Sequence, residues 1–386
     1  MTTAYILDAV RTARGKKKGS LVGTHPMDLA AHVLNAAVRR NGLDPLQIED
    51  VVLGCVTQVG EQGWNVARGA VLAAGLPIEV AGATVNRFCG SGLQAVNFAA
   101  MQVMSGYADL AIGGGVESMT RVPMGADMEG GEGPASAALK ERFPNLVNQG
   151  VSAEMIAEKW KLSRNDVDTY AVRSQHLAGH AIEKGYFRNE IEPIDVKDAE
   201  GQTRSFDVDE HCRPNTTLET LGNLKPVFRE DGVIHAGNAS GIVDGAAAVV
   251  VASEARAHAL GRKPRAKIVT TAIAGSDPVL MLTGPIPSTR KALARAGLKV
   301  SDIDLWEINE AFAPIPMVVA RELGIDMDRV NVNGGAIALG HPLGATGAML
   351  LATCLNELER RDLRYGAITL CIGYGMGITT IIDRKL

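Results

Sequence analysis

Cys89 has the sequence surroundings of a reactive thiol. It stands in VNRFCGSGLQAV, between a strand-like apolar run and a helix whose apolar residues recur every three and four positions. Gly90 and Gly92 would let a reactant approach the backbone there. Because backbone dipoles and free N–H groups at a helix N-terminus favour a thiolate, the position predicts a nucleophile with a lowered pKa. The same N–H groups could stabilise an oxyanion. The alternative is a small buried residue at a tight turn.

Three further residues could complete a site around this thiol: His341, Cys371 and Asn309. His341 lies in GGAIALGHPLGATGAM, a constrained loop before a helix, and a histidine facing a thiol is the usual base that activates it. Cys371, at the end of a strand in LCIGYGMG, would suit proton transfer. Asn309, in WEINEAFA, could hold a water or orient His341. Each has a structural alternative: a histidine bonded to local backbone groups, a buried cysteine at a strand end, or an asparagine in a turn.

An internal repeat indicates which elements position these residues. The motifs RRNGLDPLQIEDVVLGC and ARAGLKVSDIDLWEIN match at an offset of 255 between Ile48 and Ile303. Cys89 aligns with His341 at an offset of 252, and YADLAIGGGVESM aligns with YGAITLCIGYGMGI at an offset of 258. The repeat predicts a duplicated αβ domain in which strands alternate with helices. An internal two-fold relation would then bring Cys89 and His341 to one central site.

The segment between the two halves, residues 121–220, departs from this pattern. It contains the glycine-rich run MEGGEGPAS and helical stretches, with few strand signals. A long insertion of this kind commonly forms a lid or a substrate-binding surface. We therefore expect an N-terminal half at 1–120 plus 221–260, an inserted loop domain at 121–220 and a C-terminal half at 261–386.

Composition and charge exclude several classes of function. Of 386 residues, 46% are hydrophobic and 21% charged, as in a soluble globular protein, and a net charge of -4 gives no reason to expect a nucleic-acid partner. The start TTAYILDAV is strand-like rather than a signal peptide, and no apolar run reaches the roughly 18–20 residues that span a bilayer. Five cysteines at unrelated spacings form neither a disulfide framework nor a zinc signature. We expect a cytoplasmic protein with no bound metal and no membrane insertion.

The motifs, taken together and in order, resemble those of the thiolases. The resemblance rests on VNRFCGSGLQA, GGGVESM, NASGIVDGAAA, WEINEAFA, GGAIALGHPLGATGA and CIGYGMG, and it runs essentially end to end. It implies an α/β thiolase fold, in which duplicated αβα halves form a five-layered αβαβα sandwich with an inserted loop domain. It also implies thiolytic cleavage of a 3-ketoacyl-CoA, or the reverse Claisen condensation of acetyl-CoA with an acyl-CoA.

The resemblance implies a role for each candidate residue. Cys89 resembles the nucleophile that holds the acyl group as a thioester, His341 the residue that activates it, and Cys371 the acid/base that exchanges a proton with the acetyl-CoA carbanion. Asn309, through a water, and His341 resemble one oxyanion hole. The backbone N–H groups of Cys89 and Gly373 resemble the other. Breaking a carbon–carbon bond next to a thioester needs a nucleophile, an acid and donors facing two oxygens, so these roles agree with the chemistry.

Other positions bear on substrate binding. Ser240, in NASG, and Arg213, in RPNTT, match positions that contact CoA in the thiolases. Tyr374 stands where many thiolases have glycine, which could narrow the pocket near the second cysteine. Asn148 and Gln149 stand where the acetoacetyl-CoA-specific members often carry His-Met. That last difference favours the degradative type, which accepts a broader range of chains.

The leading hypothesis is a degradative acetyl-CoA C-acyltransferase of the β-oxidation type, acting on fatty-acyl or related catabolic 3-ketoacyl-CoAs. It takes CoA as co-substrate and binds no cofactor permanently. The runner-up is an acetoacetyl-CoA thiolase restricted to a short chain. A ketoacyl synthase would replace Cys371 with histidine or asparagine, and a non-catalytic acyl-CoA-binding paralogue would lack Cys89, His341 or Cys371. The resemblance also implies a homodimer or homotetramer, and leaves room for a hydratase/dehydrogenase partner subunit.

Overall fold

Strands and helices alternate along most of the computed structural model, which describes residues 2–131, 133–198 and 200–386. The strands are β1 (Tyr5–Arg11), β2 (Gly15–Lys16), β3 (Asp50–Gly54), β4 (Ala81–Val85), β5 (Leu110–Ser118), β6 (Ile194–Lys197), β7 (Thr203–Phe206), β8 (Val243–Ala252), β9 (Ala266–Gly275), β10 (Leu305–Ile308), β11 (Tyr365–Ile372) and β12 (Met376–Asp383). The helices are α1 (Pro26–Asn41), α2 (Val66–Ala73), α3 (Ser91–Ser105), α4 (Ala137–Arg142), α5 (Gln149–Lys159), α6 (Arg164–Lys184), α7 (Leu218–Gly222), α8 (Glu254–Ala259), α9 (Pro285–Ala296), α10 (Pro314–Leu323), α11 (Ala336–Leu339) and α12 (Thr346–Arg360). None of these helices is long and apolar enough to cross a membrane.

Two half-sheets join edge to edge. The strand order is β10-β11-β12-β9-β1-β8-β5-β3-β4, with β2 beside β8, while β6 and β7 form a separate hairpin. Strand β3 runs parallel to β4 and β5, and β10 runs parallel to β11. Only two residue pairs, Tyr5 with Lys267 and Ile6 with Ala266, connect β1 to β9. The first half of the chain therefore supplies one half-sheet and the second half supplies the other.

Three hydrophobic cores stack the elements into five layers. The central core joins α3 and α12 to both half-sheets, through residues such as Val96, Leu355, Val249 and Ile378. A second core packs α1 and α2 on the outer face of the first half-sheet. A third packs α9 and α10 on the outer face of the other half-sheet. The predicted order of the five layers is confirmed: outer helices, a half-sheet, central helices, the other half-sheet and outer helices.

Helices α1 and α9 show how each half encodes the same local structure. Both begin at a proline, Pro26 and Pro285, whose missing N–H costs nothing in the first helical turn. Both end before a left-handed glycine, Gly42 at φ 58° and Gly297 at φ 65°. Glycine adopts that conformation without the steric strain of a Cβ, so it caps the carbonyls at the end of each helix.

The structure gives the repeat a single offset of 255. This is the spacing of the glycines Gly42 and Gly297, and also of the first residues of α3 and α12 and of β5 and β11. The alignments predicted at 252 and 258 are therefore wrong in register. Cys89 corresponds to Gly344, so His341 lies three residues before the true counterpart. Short motifs rich in glycine can be aligned in several registers, whereas the helix ends allow one.

The segment 121–220 contains α4 to α6, the hairpin β6–β7 and the start of α7. Its long helix α6 is anchored to the second half, because Tyr170 and Ser174 donate hydrogen bonds to the buried carboxylate of Glu310 at 2.8 and 2.7 Å. Helix α5 begins at Gln149, whose side chain reaches Cys89. The division into two halves and an insertion stays a prediction, but part of this segment clearly borders the candidate site.

Candidate active site

Cys89 lies in a tight turn between β4 and α3. Phe88 has a φ of 44°, an unusual value for a residue with a side chain, and Gly90 caps α3. The hydroxyl of Ser91 locks the turn: it donates to the carbonyl of Phe88 at 2.6 Å and accepts from the N–H of Arg87 at 2.8 Å. The sequence prediction of a cysteine at a strand-to-helix turn agrees with this geometry.

The environment of the Cys89 thiol is apolar. Val56, Met119 and Leu343 pack around it, and only 3% of the residue is exposed. Burial raises the pKa of Cys89 to about 11, although a hydrogen bond from the Gln149 side chain opposes the rise. The lowered pKa expected from the helix N-terminus is therefore wrong, because loss of hydration outweighs the hydrogen bonds that favour the thiolate. The resting thiol is protonated at neutral pH and needs a base.

His341 is held in one tautomer. Its backbone N–H donates to the carbonyl of Gly241 at 2.9 Å, and its Nδ1 lies 2.6 Å from the hydroxyl of Thr346. That hydroxyl donates its own proton to the carbonyl of Pro342 at 2.9 Å, so it must accept from Nδ1–H. Nε2 then carries the lone pair, and it lies 3.3 Å from Nδ2 of Asn309. A neutral imidazole whose lone pair is on Nε2 is the form that a general base requires.

The electrostatic surroundings keep this imidazole neutral. Burial and, to a smaller extent, the nearby guanidinium of Arg14 together lower the pKa of His341 to about 3. The histidine is therefore uncharged across the physiological pH range. Its protonation during a reaction has to be compensated by a negative charge that forms close by.

Asn309 follows β10 and faces the same histidine. Its backbone N–H donates to the carbonyl of Thr369 at 3.0 Å, which fixes the residue at the end of the sheet. Its Oδ1 is buried without a hydrogen-bond partner in the described part of the chain. Buried polar atoms are almost always satisfied, so this oxygen marks a place for a water or a substrate group.

Cys371 lies near the Cys89 thiol at the end of β11. It pairs with Gly377 across the sheet and is 1% exposed. Burial raises the pKa of Cys371, and the neighbouring Cys89 raises it further, so this thiol is also protonated at rest. Gly373 borders the same turn, since a Cβ added there would lie 3.4 Å from Nε2 of Gln149 and 3.6 Å from Cγ of Phe88.

Close backbone contacts bring the two halves together at this point. A Cβ added at Gly92 would lie 2.6 Å from the carbonyl oxygen of Gly344, and one at Gly115 would lie 2.0 Å from it. Such distances are impossible for a real side chain, so glycine is required at both positions. The glycines of CGSG and GGGVES therefore let the His341 loop approach the Cys89 turn, and Leu343 from that loop packs on Cys89.

Sequence reasoning missed two buried carboxylates that hold this arrangement. Glu117 accepts hydrogen bonds from the N–H groups of Val56, Thr57 and Gly344, and from the Gln62 side chain, at 2.8–3.1 Å. It therefore ties the second-half loop to the first half. The available signal was a glutamate within the otherwise apolar strand LAIGGGVES.

The second missed carboxylate, Glu310, holds the segment that leads to His341. It accepts from Tyr170, Ser174, the amide of Asn331 at 3.0 Å and the N–H of Ile337 at 3.1 Å. These bonds connect the inserted helix α6 to the loop and helix before His341. The WEINEAFA motif contains this residue, but the sequence did not reveal its four partners.

A cavity of about 780 Å³ opens beside the His341 loop. Both predicted CoA contacts, Ser240 and Arg213, line it. Lys16, Lys17 and His211 line it as well, so the described walls are rich in cationic and polar side chains. Gly241, also in the wall, accepts the hydrogen bond from the His341 backbone. The cavity therefore ends next to the catalytic candidates, which lie behind its wall rather than in it.

Comparison with known families decides what kind of protein carries this site. The family described as thiolase, N-terminal domain, matches residues 4–255, and the family described as thiolase, C-terminal domain, matches residues 262–384. The chain belongs to the thiolase family. It is therefore an acyltransferase, and the expectation drawn from the motifs is confirmed.

Relatives of this thiolase match it along its whole length. A β-ketoadipyl-CoA thiolase of Escherichia coli is 48% identical and a 3-ketoacyl-CoA thiolase of Serratia proteamaculans is 44% identical, each over 100% of both chains. The crystal structure of the Bacillus anthracis acetyl-CoA acetyltransferase superposes with a TM-score of 0.91, at 40% identity over 99% of both chains. The thiolase fold predicted for the chain is confirmed.

Proposed function

We propose that this thiolase cleaves a 3-ketoacyl-CoA with CoA, giving acetyl-CoA and a shortened acyl-CoA through an acyl group on Cys89. The observation that carries the proposal is a set of two protonated, buried thiols and one neutral histidine with its lone pair on Nε2. Cys371 lies near Cys89, and Leu343 from the loop of His341 packs on Cys89. The names of the full-length relatives support the degradative direction. The test is CoA-dependent cleavage by the wild type and by the Cys89→Ser variant.

The first half-reaction breaks the carbon–carbon bond. Sγ of Cys89 attacks the keto carbon while its proton passes to Nε2 of His341. Because the pKa of the thiol lies far above that of the imidazole, the proton moves as the C–S bond forms rather than before it. The tetrahedral alkoxide then collapses to a thioester, and the bonding electrons leave with the acetyl-CoA carbanion. Cys371 gives that carbanion its proton, which releases acetyl-CoA.

The second half-reaction transfers the acyl group to CoA. The Cys371 thiolate takes the proton of the incoming CoA thiol, and the CoA thiolate attacks the thioester carbon. Collapse of this intermediate expels the Cys89 thiolate, which recovers its proton from the His341 imidazolium. All three groups return to their starting protonation states, so the cycle consumes only the ketoacyl-CoA and CoA.

Two sets of donors face the oxygens that become negative. In the protonated state, Nε2–H of His341 joins a water held by Asn309, whose buried Oδ1 is free to accept from it. The backbone N–H groups of Cys89 and Gly373 form the other set beside the Phe88 turn. Fixed donors in a buried site stabilise developing charge without reorganising, and losing one such donor costs about 10²–10³ in kcat.

We infer that CoA occupies the cavity beside the His341 loop. CoA carries several phosphate charges, and Lys16, Lys17 and Arg213 supply cations along the described walls. Ser240 lines the cavity beside Gly241, whose carbonyl accepts from the backbone N–H of His341. The thiol end of CoA would then lie nearest to the two cysteines, and the phosphates nearest to solvent.

The Arg213→Ala variant tests this placement. We expect the KM for CoA to rise about tenfold with kcat unchanged, because a charged hydrogen bond of roughly 1.5 kcal/mol is lost equally from ground and transition states. Steady-state kinetics with varied CoA measures both constants. Arg229→Ala, which removes an exposed arginine paired with Glu158, is the matched control. An unchanged KM in Arg213→Ala would contradict the placement.

The runner-up, a thiolase restricted to acetoacetyl-CoA, uses the same chemistry. Whether such an enzyme rejects longer acyl chains depends on residues from the 121–220 segment. One of them, Gln149, contacts Cys89 here through its side chain. The Bacillus anthracis structure is of an acetyl-CoA acetyltransferase, but it is less similar in sequence than the degradative relatives. The range of acyl chains accepted separates the two functions.

We also infer that the chain forms a homo-oligomer through the free edge of its sheet. Strand β4 ends the strand order and is partly exposed, and Phe98 and Met101 on the adjacent α3 are exposed apolar side chains. An unpaired edge beside apolar groups favours pairing with a second copy. Light scattering should give a molar mass of at least twice 40.7 kDa. Met101→Glu should lower that mass, while Val227→Glu, at an exposed valine outside β4 and α3, should leave it unchanged. A monomeric wild type would contradict this inference.

A further inference from the structure

A second groove, of about 370 Å³, shares none of its described lining residues with the CoA cavity. Six apolar or aromatic residues and one serine line it: Pro134, Leu139, Phe143, Leu146, Pro278, Tyr374 and Ser276. Four of these come from the segment that precedes α5, and the others come from the ends of β9 and β11. The groove is therefore formed where the inserted segment meets the second half.

One aromatic contact connects the wall of the groove to the turn that carries Cys89. The ring of Phe88, the residue before Cys89, meets the ring of Tyr374 edge-on, with centroids 5.7 Å apart. Gly373 lies between them and the Gln149 amide that bonds to Cys89. A substituent that extends from Cys89 past this aromatic pair would enter the groove.

Both residues of the aromatic pair have strained backbones. Phe88 has φ 44° and Tyr374 has φ 60°, values that favour glycine. Each such conformation costs on the order of 1–3 kcal/mol, and strain of this kind gathers at functional sites. Phe88 directly precedes Cys89, and Tyr374 lies three residues after Cys371. Two strained residues in mutual contact at these positions indicate that the contact itself is useful. Glycine at position 374 would relieve the backbone strain but would remove the aromatic ring that forms part of the groove wall.

The groove offers no charge of its own among the described residues that line it. Arg142 lies outside, with its guanidinium 5.8 Å from the centre of the Phe143 ring. The acidic Asp277 lies between two lining residues, and its carboxylate accepts from the N–H groups of Val279 and Leu280. An apolar chain would be buried here favourably, at about 25 cal/mol per Å², whereas a terminal carboxylate would lose hydration without a partner.

We propose that this groove holds the acyl chain of the substrate, and that Tyr374 and its apolar lining select unbranched apolar 3-ketoacyl groups over acyl groups that end in a carboxylate. The inference rests on the proposed thiolase function and assigns a substrate class to it. Chains longer than four carbons pass the Phe88–Tyr374 pair and gain contact with Leu139, Phe143 and Leu146. Acetoacetyl-CoA is too short to reach them.

The experiment compares three substrates: acetoacetyl-CoA, 3-ketodecanoyl-CoA and 3-oxoadipyl-CoA, whose chain ends in a carboxylate. The wild type should show a kcat/KM for 3-ketodecanoyl-CoA at least tenfold above that for 3-oxoadipyl-CoA. Leu146→Lys places a cation in the groove and should lower that ratio at least tenfold. Leu46→Lys, at an exposed leucine of the first half, should leave it unchanged. Tyr374→Gly, which the φ of 60° accommodates, should lower the ratio about threefold.

The outcomes distinguish a failure of this inference from a failure of the proposed thiolase function. If the wild type cleaves acetoacetyl-CoA but prefers 3-oxoadipyl-CoA or shows no preference, the assignment of the groove is overturned while the thiolase function stands. Cleavage of acetoacetyl-CoA alone also overturns it and supports the runner-up. A ratio that moves equally in Leu146→Lys and Leu46→Lys contradicts the role of the groove. If none of the three is cleaved, the proposed function itself fails.

Discussion

Replacement of Cys89 by serine should lower CoA-dependent cleavage of a 3-ketoacyl-CoA by at least about 10⁴-fold. A hydroxyl is a far weaker nucleophile than a thiol, and the remaining base and oxyanion donors cannot replace the covalent step. The apolar pocket of Val56, Met119 and Leu343 accepts serine with little change in volume, so folding should persist. Initial rates of acetyl-CoA formation, followed by chromatography, measure the loss. Circular dichroism checks the fold.

Cys354 provides a matched control for this substitution. It is also a fully buried cysteine, but it lies in α12 within the central core, where its Sγ faces Gly366 and Leu358. Cys354→Ser should reduce stability by about 1–2 kcal/mol through a buried hydroxyl and keep the activity of the folded enzyme. Equal losses of activity in the two serine variants would show that Cys89 has no special role.

Replacement of Cys371 by alanine should lower the rate of carbon–carbon cleavage about 10³-fold while affecting acyl exchange much less. A carbanion is a poor leaving group and needs a proton from the acid, whereas a CoA thiolate leaves readily without one. Two assays separate the steps: cleavage of a 3-ketoacyl-CoA, and exchange of labelled CoA into an acyl-CoA that lacks the keto group. The exchange should fall by no more than about tenfold.

The same control site serves the second variant. Cys354→Ala removes a buried sulfur of the same size from the central core and should change neither assay in the folded protein. If Cys371→Ala slowed both assays equally, its main effect would be on the nucleophile, the CoA thiol or the fold, and a specific role at the departing carbon would be contradicted. If it slowed neither, another group would have to donate the proton, and the assignment would be wrong.

Much of the fold and of the candidate site could be predicted because the signals are local. Glycine caps such as Gly42 and Gly297, and the alternation of apolar strands and helices, mark where elements begin and end. Motif positions identified Cys89, His341, Asn309 and Cys371 as candidates. In the structure Cys371 lies near Cys89, Asn309 lies 3.3 Å from His341, and Leu343 from the loop of His341 packs on Cys89. The roles assigned to them stay predictions until the variants are measured.

The features that the sequence did not reveal depend on contacts between distant segments. The pKa of Cys89 was expected to fall, and it rises because Val56, Met119 and Leu343 arrive from three other elements. The four donors around Glu117 come from two distant parts of the chain, residues 56–62 and Gly344, so no local pattern reveals them. The register of the repeat was misread for a related reason, since glycine-rich turns carry little alignment information.

Mass spectrometry of the acid-quenched enzyme tests the central claim most directly. After brief incubation with acetyl-CoA, digestion and fragmentation, the peptide that contains Cys89 should carry one acetyl group. The peptides that contain Cys55, Cys212, Cys354 and Cys371 should stay unmodified, and added CoA should remove the label. An acetyl group on another cysteine, or none on an enzyme shown to turn over, would contradict a mechanism in which Cys89 carries the acyl group.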